Sequence, residues 1–436
     1  MKIAIGSDHA GFPLKEEIRK YLEDKKEEMI AFLGELVAVR SVQEEAEEGY
    51  PFGRNSAKAL EIMLDKCREF GFSVENVDNY AGSADFNNCE ASLGILSHLD
   101  VVPEGSGWTS DPYVLKRENG VLTGRGTIDD KGPAVASLFA MRALKELNIP
   151  IKKGVRLIFG TNEENGGDDI KHYRKNHDLP PMVFTPDGEY PVINGEKGML
   201  RIYISAELTE KIEIQAGEVI NAVPMACSVK TDSSATLYEG KSAHASTPEK
   251  GENAITKFLA DYSGNSAALN GLKQIFQHGD VEGTSIFGEK SADFTCVLSL
   301  FKTVEKFEKT YIEGGIDVRF PFGHTKEEVQ EIICGKLEAA GITIDSVMAV
   351  NPHYTDENSD FVQSLLRVYE QVTGEKGRCI TIGGGTYVHD IEGGVAFGAE
   401  YEGGSGNMHG ADEFITEESL ILNAEIMAEA IKAVCG

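Results

Sequence analysis

Two adjacent glutamates, Glu163 and Glu164, stand in the segment TNEENGG, directly after the apolar run 155–159. An apolar run that ends in a polar, glycine-rich turn predicts a buried strand, and ligands of α/β sheets bind at the carboxyl ends of such strands. Neighbouring side chains on an extended segment point in opposite directions, so we expect one glutamate to bind a metal ion while the other serves a different atom. A glutamate pair alone is usually solvated surface, and only the rest of the chain can make this pair informative.

Other acids and histidines recur at the ends of apolar runs. His98 and Asp100 end the run 93–100, Asp187 follows the run 182–184, and Asp129 and Asp130 stand between glycines in GRGTIDDKGP. Alternate strand residues share a face, which places Asp100 to orient the His98 ring. A lone histidine, or an aspartate at a helix start, is more often a packed side chain or a cap. The prediction of a functional site therefore depends on the convergence of these residues on one sheet edge.

Histidines and carboxylates without a thiolate are typical of a catalytic divalent-metal site and not of a structural zinc site. The candidate ligands are His98, Asp129, Glu164, Asp187 and His409, the last of which lies in the glycine-rich segment 403–413. Five ligands exceed the needs of one tetrahedral ion, so the set favours two ions that share a bridging carboxylate. Such a pair lowers the pKa of a bound water to about 7. The remaining acid, Glu163, is then the candidate general base.

The elements that must position these residues alternate as in an α/β fold. Helices are predicted over 13–39, 55–70, 134–147, 168–176, 359–372 and 417–433, and strands over 72–77, 93–100, 155–159, 182–184 and 379–382.

The pattern of predicted strands and helices changes in residues 189–354, which indicates an α+β insert with an antiparallel sheet. Its predicted strands are 200–208, 229–237, 295–301 and 311–320, and its predicted helices are 253–262 and 326–340. We therefore predict an α/β catalytic domain, formed by 1–188 and 355–436, with a mixed, mostly parallel sheet flanked by helices. The inserted lid domain is 189–354.

Composition excludes several classes of function. The 42 basic and 71 acidic residues give a net charge of −29, and such a surface repels phosphate backbones, so we expect no nucleic-acid partner. No stretch approaches the ~20 consecutive apolar residues of a membrane span. The first residues lack the pattern of a secretory signal. Seven scattered cysteines without a CxxC spacing indicate reduced thiols, so we expect a cytoplasmic protein.

Seven segments together resemble the dinuclear zinc aminoacylase/carboxypeptidase G superfamily, and within it the dipeptidase V branch of carnosinase-like Xaa-His dipeptidases. They follow the family's order across residues 25–436 and are SHLDVVPEGSGW, GRGTIDDKGP, TNEENGG, TPDGEYPVINGEKG, SAHASTPEKG, TIGGGTY and NMHGADE. The resemblance implies a metal-dependent dipeptidase that acts on unblocked dipeptides, either Xaa-His and carnosine-like or of broad specificity, through a metal-bridging hydroxide.

The resemblance also assigns roles to the candidate ligands. It implies His98 and Asp187 as ligands of one ion, Glu164 and His409 as ligands of the other, and Asp129 as the bridge. It further implies that Asp100 orients His98, that Glu163 is the base, and that the peptide after Asp129 is cis. The implied cofactor is a pair of divalent ions, with Zn²⁺ preferred and Mn²⁺ or Co²⁺ as alternatives.

Three residues of the predicted lid resemble substrate contacts of this family. His244 is similar to the residue that stabilises the oxyanion, Arg319 to the one that binds the substrate carboxylate, and Asn221 to a further contact. The segment between Asn221 and His244 is shorter than in the monomeric dipeptidases of the family. Whether His244 serves its own chain or a dimer partner therefore stays open, as does the choice between monomer and homodimer.

The segment MKIAIGSDHAGF departs from this pattern and resembles the start of type B ribose-5-phosphate isomerases, in which the pair corresponding to Asp8 and His9 lies at the sugar site. Twelve residues are too few for that fold, so we treat them as an atypical leader. The alternatives to a dipeptidase are an N-acyl-amino-acid deacylase, a binding protein with a vestigial site, and a bifunctional isomerase-peptidase. A small peptide is the expected partner.

Overall fold

A computed structural model describes residues 11–306, 309–401, 404 and 406–436. The predictions for Asp8 and His9 lie outside the described residues. The helices are α1 (Gly11–Asp24), α2 (Lys26–Val37), α3 (Arg54–Glu69), α4 (Lys131–Glu146), α5 (Asp168–Tyr173), α6 (Ala254–Asp261), α7 (Ala267–Ile275), α8 (Thr284–Phe287), α9 (Lys326–Ala339), α10 (Asp360–Thr373) and α11 (Glu417–Cys435). Single 3₁₀ turns lie at Glu163–Asn165, Pro248–Lys250, Gly288–Ser291 and Tyr387–Asp390.

The strands are β1 (Ser73–Val77), β2 (Ala81–Asp85), β3 (Ala91–His98), β4 (Lys116–Glu118), β5 (Val121–Thr123), β6 (Gly154–Gly160), β7 (Met182–Thr185), β8 (Val192–Glu196), β9 (Gly198–Leu208), β10 (Ile212–Ala216), β11 (Ala226–Thr231), β12 (Ala235–Glu239), β13 (Thr295–Lys306), β14 (Lys309–Phe320), β15 (Thr343–Val350), β16 (His353–Tyr354), β17 (Cys379–Ile382), β18 (Val395–Ala396) and β19 (Phe414–Thr416).

The chain divides into two compact units. The first comprises Met1–Asn194, Thr355–Ile380 and Thr386–Gly436, and the second comprises Gly195–Tyr354 and Thr381–Gly385. In the first unit, β3 pairs in parallel with both β6 and β7, and β18 pairs in parallel with β7, while β1 and β2 add antiparallel strands at one side. This mixed sheet has the parallel centre that was predicted.

The central strands of the first unit are almost continuously apolar because both faces of their sheet are covered. Helix α4 buries nearly all of its side chains, and α11 packs against it. The parallel register sets His98, the last residue of β3, opposite Gly160, the last residue of β6. This register therefore brings His98 and the turn of Glu163 and Glu164 to the same edge of the sheet.

The second unit contains a seven-stranded antiparallel sheet in the order β12-β11-β10-β13-β14-β9-β15. Its own apolar core joins the inner side chains of β9, β13 and β14 to those of α6, α7 and α9. The two sheets together confirm the predicted fold class.

Several element predictions differ from the structure. The helix predicted over 13–39 is broken at Lys25, within an acidic and lysine-rich segment that has no apolar side chain to bury. The strand predicted over 229–237 is wrong: it is the hairpin of β11 and β12, with Thr231 N–H donating to the Ser234 carbonyl across an Asp-Ser-Ser turn. Helix α7, with Ser266 as its cap, was missed because its apolar pattern is short.

Two further properties complete the description. All seven cysteines are free thiols. Among the helices that the structure describes, none has both the length and the apolar character needed to cross a bilayer.

Candidate metal centre

The predicted ligands of the first unit come from the ends of its central elements. His98 ends β3, Asp187 follows β7 after one residue, and Asp129 stands two residues before α4. Glu163 and Glu164 follow β6, but they open a 3₁₀ turn, so the prediction of an extended segment is wrong. The two glutamates still belong to different groups of candidate ligands. Ligand atoms of His98, Glu163 and Asp187 lie within 4.8 Å of one another, and so do those of His98, Asp129 and Glu164.

The Asp129 carboxylate lies between two histidines. Its Oδ1 is 2.9 Å from His98 Nε2, and its Oδ2 is 2.8 Å from His409 Nε2. On the outer sides, His98 Nε2 is 3.6 Å from Asp187 Oδ2, and His409 Nε2 is 3.3 Å from Glu164 Oε2. The structure thus brings the five predicted ligands together in a chain of contacts that runs from Asp187 through His98, Asp129 and His409 to Glu164, with Asp129 in the middle.

Asp100 contacts both His98 and the glutamate turn. Its backbone carbonyl accepts a hydrogen bond from His98 Nδ1 at 2.9 Å, so Nδ1 carries a proton and Nε2 faces the other acids, where it donates to Asp129 Oδ1. Its carboxylate lies 3.5 Å from the same nitrogen. That carboxylate accepts the backbone N–H groups of Glu163 and Glu164, each at 3.1 Å. Asp100 therefore also holds the glutamate turn, a contact that the sequence did not indicate.

The acids of the centre carry raised pKa values. Burial, followed by the charge of Asp129, raises the pKa of Asp187 to about 7. Burial also raises the pKa of Glu164, and it raises that of Glu163 well above the ordinary value, with Asp187 as the next cause. The histidines beside these acids cannot neutralise all of the carboxyl groups of the centre if every one of them is an anion.

Asp129 and the two histidines behave in the opposite way. Burial favours the neutral form of Asp129, but hydrogen bonds from His409 and His98 outweigh it and lower the pKa of this carboxyl. The contacts with Asp129 and then Glu164 raise the pKa of His409 to about 11. Burial works against the charged form of His98, yet the contacts with Asp100 and Asp129 raise its pKa well above 6.5. The contacts with carboxylates thus favour the charged form of both histidines.

The donor set of this centre fits a divalent metal pair. Oxygen and imidazole ligands without thiolates suit catalytic Zn²⁺ and other first-row divalent ions. Within the described residues, the buried Glu164 Oε1 has no hydrogen-bond partner, which leaves a carboxylate oxygen for such an ion. His98, Asp129, Glu164, Asp187 and His409 are the residues that would hold the ions.

A buried ion pair fastens the two segments that carry Asp129 and His409. Glu413 Oε1 accepts the backbone N–H groups of Ile128 at 3.0 Å and Asp129 at 3.3 Å, and its Oε2 accepts from Arg125 Nη1 at 2.6 Å. Arg125 Nη2 also donates to the His409 carbonyl at 3.3 Å. Sequence reasoning missed this pair, although both residues stand inside the segments GRGTIDDKGP and NMHGADE.

Three other features surround the Asp129 turn. The peptide between Asp129 and Asp130 is cis, as the family resemblance implied. Asp130 Oδ2 accepts the backbone N–H of His98 at 3.0 Å, so neither aspartate acts as a side-chain cap of α4. Lys131 is fully buried, donates to the carbonyls of Leu36 and Val39, and has a pKa lowered to about 7 by burial.

The predicted lid residues lie in the second unit. Asn221 and His244 are adjacent, because the Asn221 carbonyl accepts the Ala245 N–H at 2.8 Å and Ala222 forms a bridge with His244. His244 Nδ1 accepts the Ser246 N–H at 3.2 Å, which places the ring proton on Nε2.

Arg319, the third predicted lid residue, is held by two partners. Its Nε and Nη2 donate to Asp317 at 2.6 and 3.0 Å, and its Nη1 donates to the Gly383 carbonyl at 2.8 Å. A Cβ at Gly383 would lie 2.4 Å from Ser246 Cβ. The loop that carries His244 therefore packs closely against Gly383, the backbone partner of Arg319, within this unit. Asp317 and Gly383 are contacts that sequence reasoning missed.

Comparisons with known proteins identify related peptidases. The sequence model of peptidase family M20/M25/M40 matches residues 94–433. The chain is 33% identical over 463 residues to the beta-Ala-Xaa dipeptidase of Lactobacillus delbrueckii subsp. lactis, with 95% of this chain and 97% of that protein covered.

Solved structures share the fold. Human carnosine dipeptidase 1 is similar with a TM-score of 0.67 and 16% identity, covering 97% of this chain and 99% of that one. A dinuclear metal-binding peptidase of the M20 family from Bacillus subtilis is similar with a TM-score of 0.53 and 14% identity, covering 93% and 99%.

Proposed function

This chain belongs to peptidase family M20/M25/M40, and from that premise we propose that it is a dipeptidase of the dipeptidase V branch that cleaves unblocked dipeptides. The observation that carries the proposal is the Asp129 carboxylate between His98 and His409, with Glu163 beside them in the ligand group of His98 and Asp187. A free dipeptide carries an ammonium group, and an acidic protein attracts this positive charge.

We propose two divalent ions as the cofactor, with Zn²⁺ preferred and Mn²⁺ or Co²⁺ as alternatives. When bound, such a pair polarises a peptide carbonyl and lowers the pKa of water, so that a nucleophile exists at neutral pH.

Glu163 is the proposed general base. Its carboxylate takes a proton from the attacking water as the new C–O bond forms, and returns a proton to the amine nitrogen as the C–N bond breaks. The contacts of Asp100 with the backbone of the glutamate turn hold this carboxylate in place. The Asp100 carbonyl holds a proton on Nδ1 of His98, so loss of the Nε2 proton would leave a lone pair on Nε2 for the cofactor.

The lid residues are proposed substrate contacts. The Nε2–H of His244 donates to the oxygen that gains negative charge in the tetrahedral intermediate. The Arg319 guanidinium, oriented by Asp317, pairs with the C-terminal carboxylate of the dipeptide, for which its fork is suited. Asn221, next to His244, adds a hydrogen bond to the same region of the substrate.

A substrate panel tests the proposal. Metal-loaded protein is assayed with β-alanyl and α-amino dipeptides and, in parallel, with the corresponding N-acetyl amino acids. We expect hydrolysis of the free dipeptides, loss of turnover with a chelator, and recovery with Zn²⁺, Mn²⁺ or Co²⁺. Hydrolysis of the acylated compounds alone would assign a deacylase, and no turnover of either class by fully loaded protein would refute the peptidase proposal.

A further inference from the structure

Four consecutive backbone N–H groups of the glutamate turn, 161–164, are accepted by two buried carboxylates. The N–H groups of residues 161 and 162 donate to Asp169 Oδ2 at 2.6 and 2.8 Å. Those of residues 163 and 164 donate to the two oxygens of Asp100, as described above. Both carboxylates are fully buried. The path of the backbone through both glutamates is therefore set by two side chains, of which only Asp100 was among the predicted site residues.

Asp169 is itself held by a residue from a distant part of the chain. The hydroxyl of Tyr387 donates to Asp169 Oδ2, the same oxygen that accepts the two backbone N–H groups. Tyr387 is 7% exposed and begins a 3₁₀ turn capped by Thr386, so its ring has little freedom. The other oxygen of Asp169 accepts the Ile170 N–H at 2.6 Å.

The end of β6 is shaped to admit this contact. A Cβ at Gly160 would lie 1.9 Å from the Tyr387 hydroxyl and 2.4 Å from Asp169 Oδ2, so a side chain at this position would displace both groups. The absence of a side chain allows a carboxylate and a phenol to meet directly beside the last strand residue before the turn. Helix α5 has no side-chain cap at its N-cap position, Gly167, and Asp169 reaches back to the turn.

We infer that Asp169, held by Tyr387, is a positioning residue that aims the Glu163 carboxylate for proton transfer. The inference rests on the proposed function of Glu163 and adds two residues that act through the backbone of the turn. An unsatisfied or displaced N–H at residue 161 or 162 would let the turn relax. A displacement of about 1 Å at a reacting group can reduce a rate by two orders of magnitude.

Paired tyrosine variants test the inference. Tyr387→Phe removes one hydroxyl that donates to Asp169, whereas the control Tyr190→Phe removes a buried hydroxyl that has no partner within the described residues. In metal-loaded protein we expect about a tenfold lower kcat for Tyr387→Phe, with KM and bound metal unchanged, and no change for the control. Asp169→Asn should lower kcat by about a hundredfold.

Amide hydrogen exchange gives a second readout that does not depend on activity. Exchange at 161–164 should be faster in Tyr387→Phe and Asp169→Asn than in the wild type, and unchanged in Tyr190→Phe. Wild-type kcat in both site variants at full metal occupancy would overturn the inference. If the wild type cleaves no dipeptide, the proposed function fails. In that case, faster exchange at 161–164 would still support the positioning role, and unchanged exchange would refute it.

Discussion

At the scale of single residues, Asp129 keeps its negative charge although it is buried. Burial alone would raise its pKa, but His409 and His98 each contact one of its oxygens and lower it. For Asp187, Glu163 and Glu164, burial and the neighbouring carboxylates outweigh the histidines, and the pKa values of these acids are raised. The metal-free centre therefore binds protons that divalent ions would displace, so metal binding should release protons.

The stability of the metal-free protein should fall as pH rises from 5 to 8. The pKa of Asp187 is raised from 3.8 to about 7, so its stabilising contribution is complete below pH 3.8 and is lost as pH rises through 7. The pKa of His409 is raised from 6.5 to about 11, which acts in the same direction above pH 6.5. Asp129, whose pKa is lowered, changes stability only below this window.

Thermal melting of chelator-treated protein across this pH range measures the effect. Saturating Zn²⁺ should reduce the fall in Tm, because the ions replace the protons of the centre. A Tm of the metal-free protein that rises between pH 5 and 8 would contradict the assignment of these charges.

The two adjacent glutamates should respond differently to the same substitution. Glu163→Gln removes the proposed base and should lower kcat by about 10²–10⁴-fold while bound metal stays unchanged. Glu164→Gln removes a proposed ligand and should weaken metal binding as well as turnover. Metal content by mass spectrometry, measured beside kcat, separates the two, and loss of metal in Glu163→Gln would assign that residue to the ligands instead.

At the scale of elements, the distance between Asp129 and His409 depends on two loops that are fastened to each other. The loop of His409 has left-handed backbone at three positions other than glycine, namely Asn407, His409 and Asp412. Such conformations persist only where the surroundings stabilise them. The Arg125–Glu413 pair supplies that restraint, since it joins the backbone of Asp129 to the carbonyl of His409.

Glu413→Gln should weaken metal binding by about 10–100-fold. It should also destabilise the protein by about 3–5 kcal/mol, because the amide can still accept the backbone N–H groups but leaves the buried Arg125 without a counter-charge. Chelator competition and thermal melting measure the two effects.

The matched control for this ion pair is Glu47→Gln, which breaks a solvent-exposed pair with Arg54. It should change neither metal affinity nor Tm, because exposed ion pairs contribute little. Equal effects of the two substitutions would show that the Glu413 contact does not restrain the centre.

At the scale of the whole molecule, each of the two units has its own apolar core, and the five proposed ligands all belong to the first unit. The lid candidates His244, Asn221 and Arg319 all belong to the second unit. Metal binding and the proposed contacts with the substrate oxyanion and carboxylate are thus assigned to separately packed parts of the chain.

Metal removal should therefore loosen the first unit selectively. With chelator, amide exchange should increase at 161–164 and around Asp129 and His409, because bound ions stabilise only the state in which their ligands are assembled. Amides in the central strands β13 and β14 should keep their protection. Hydrogen exchange with mass-spectrometric detection measures both regions, and equal deprotection of the two units would show that they are energetically coupled.

The sequence predicted the edge at which the site forms. Each apolar run that ends in His98, the glutamate turn or Asp187 is a parallel strand, and parallel strands deliver their carboxyl ends to one side. Helix α10 with its Ser359 cap was likewise predicted, because capping and periodicity are local signals. The turn 232–234 was missed, and the turn predicted after the run 155–159 was not expected to be a 3₁₀ turn, since short polar turns leave little periodicity to detect.

By itself, the sequence determined which histidines and carboxylates stand at the ends of apolar runs and at which edge of the sheet these runs end, because residue type and the order of the elements are fixed along the chain. Only the tertiary structure decided that Asp129 lies between two histidines and that Asp100, Asp169 and Glu413 hold the surrounding backbone. The physical reason is that these contacts depend on side-chain direction and on pairs as distant as Ile128 and Glu413, 285 residues apart, for which no local pattern exists.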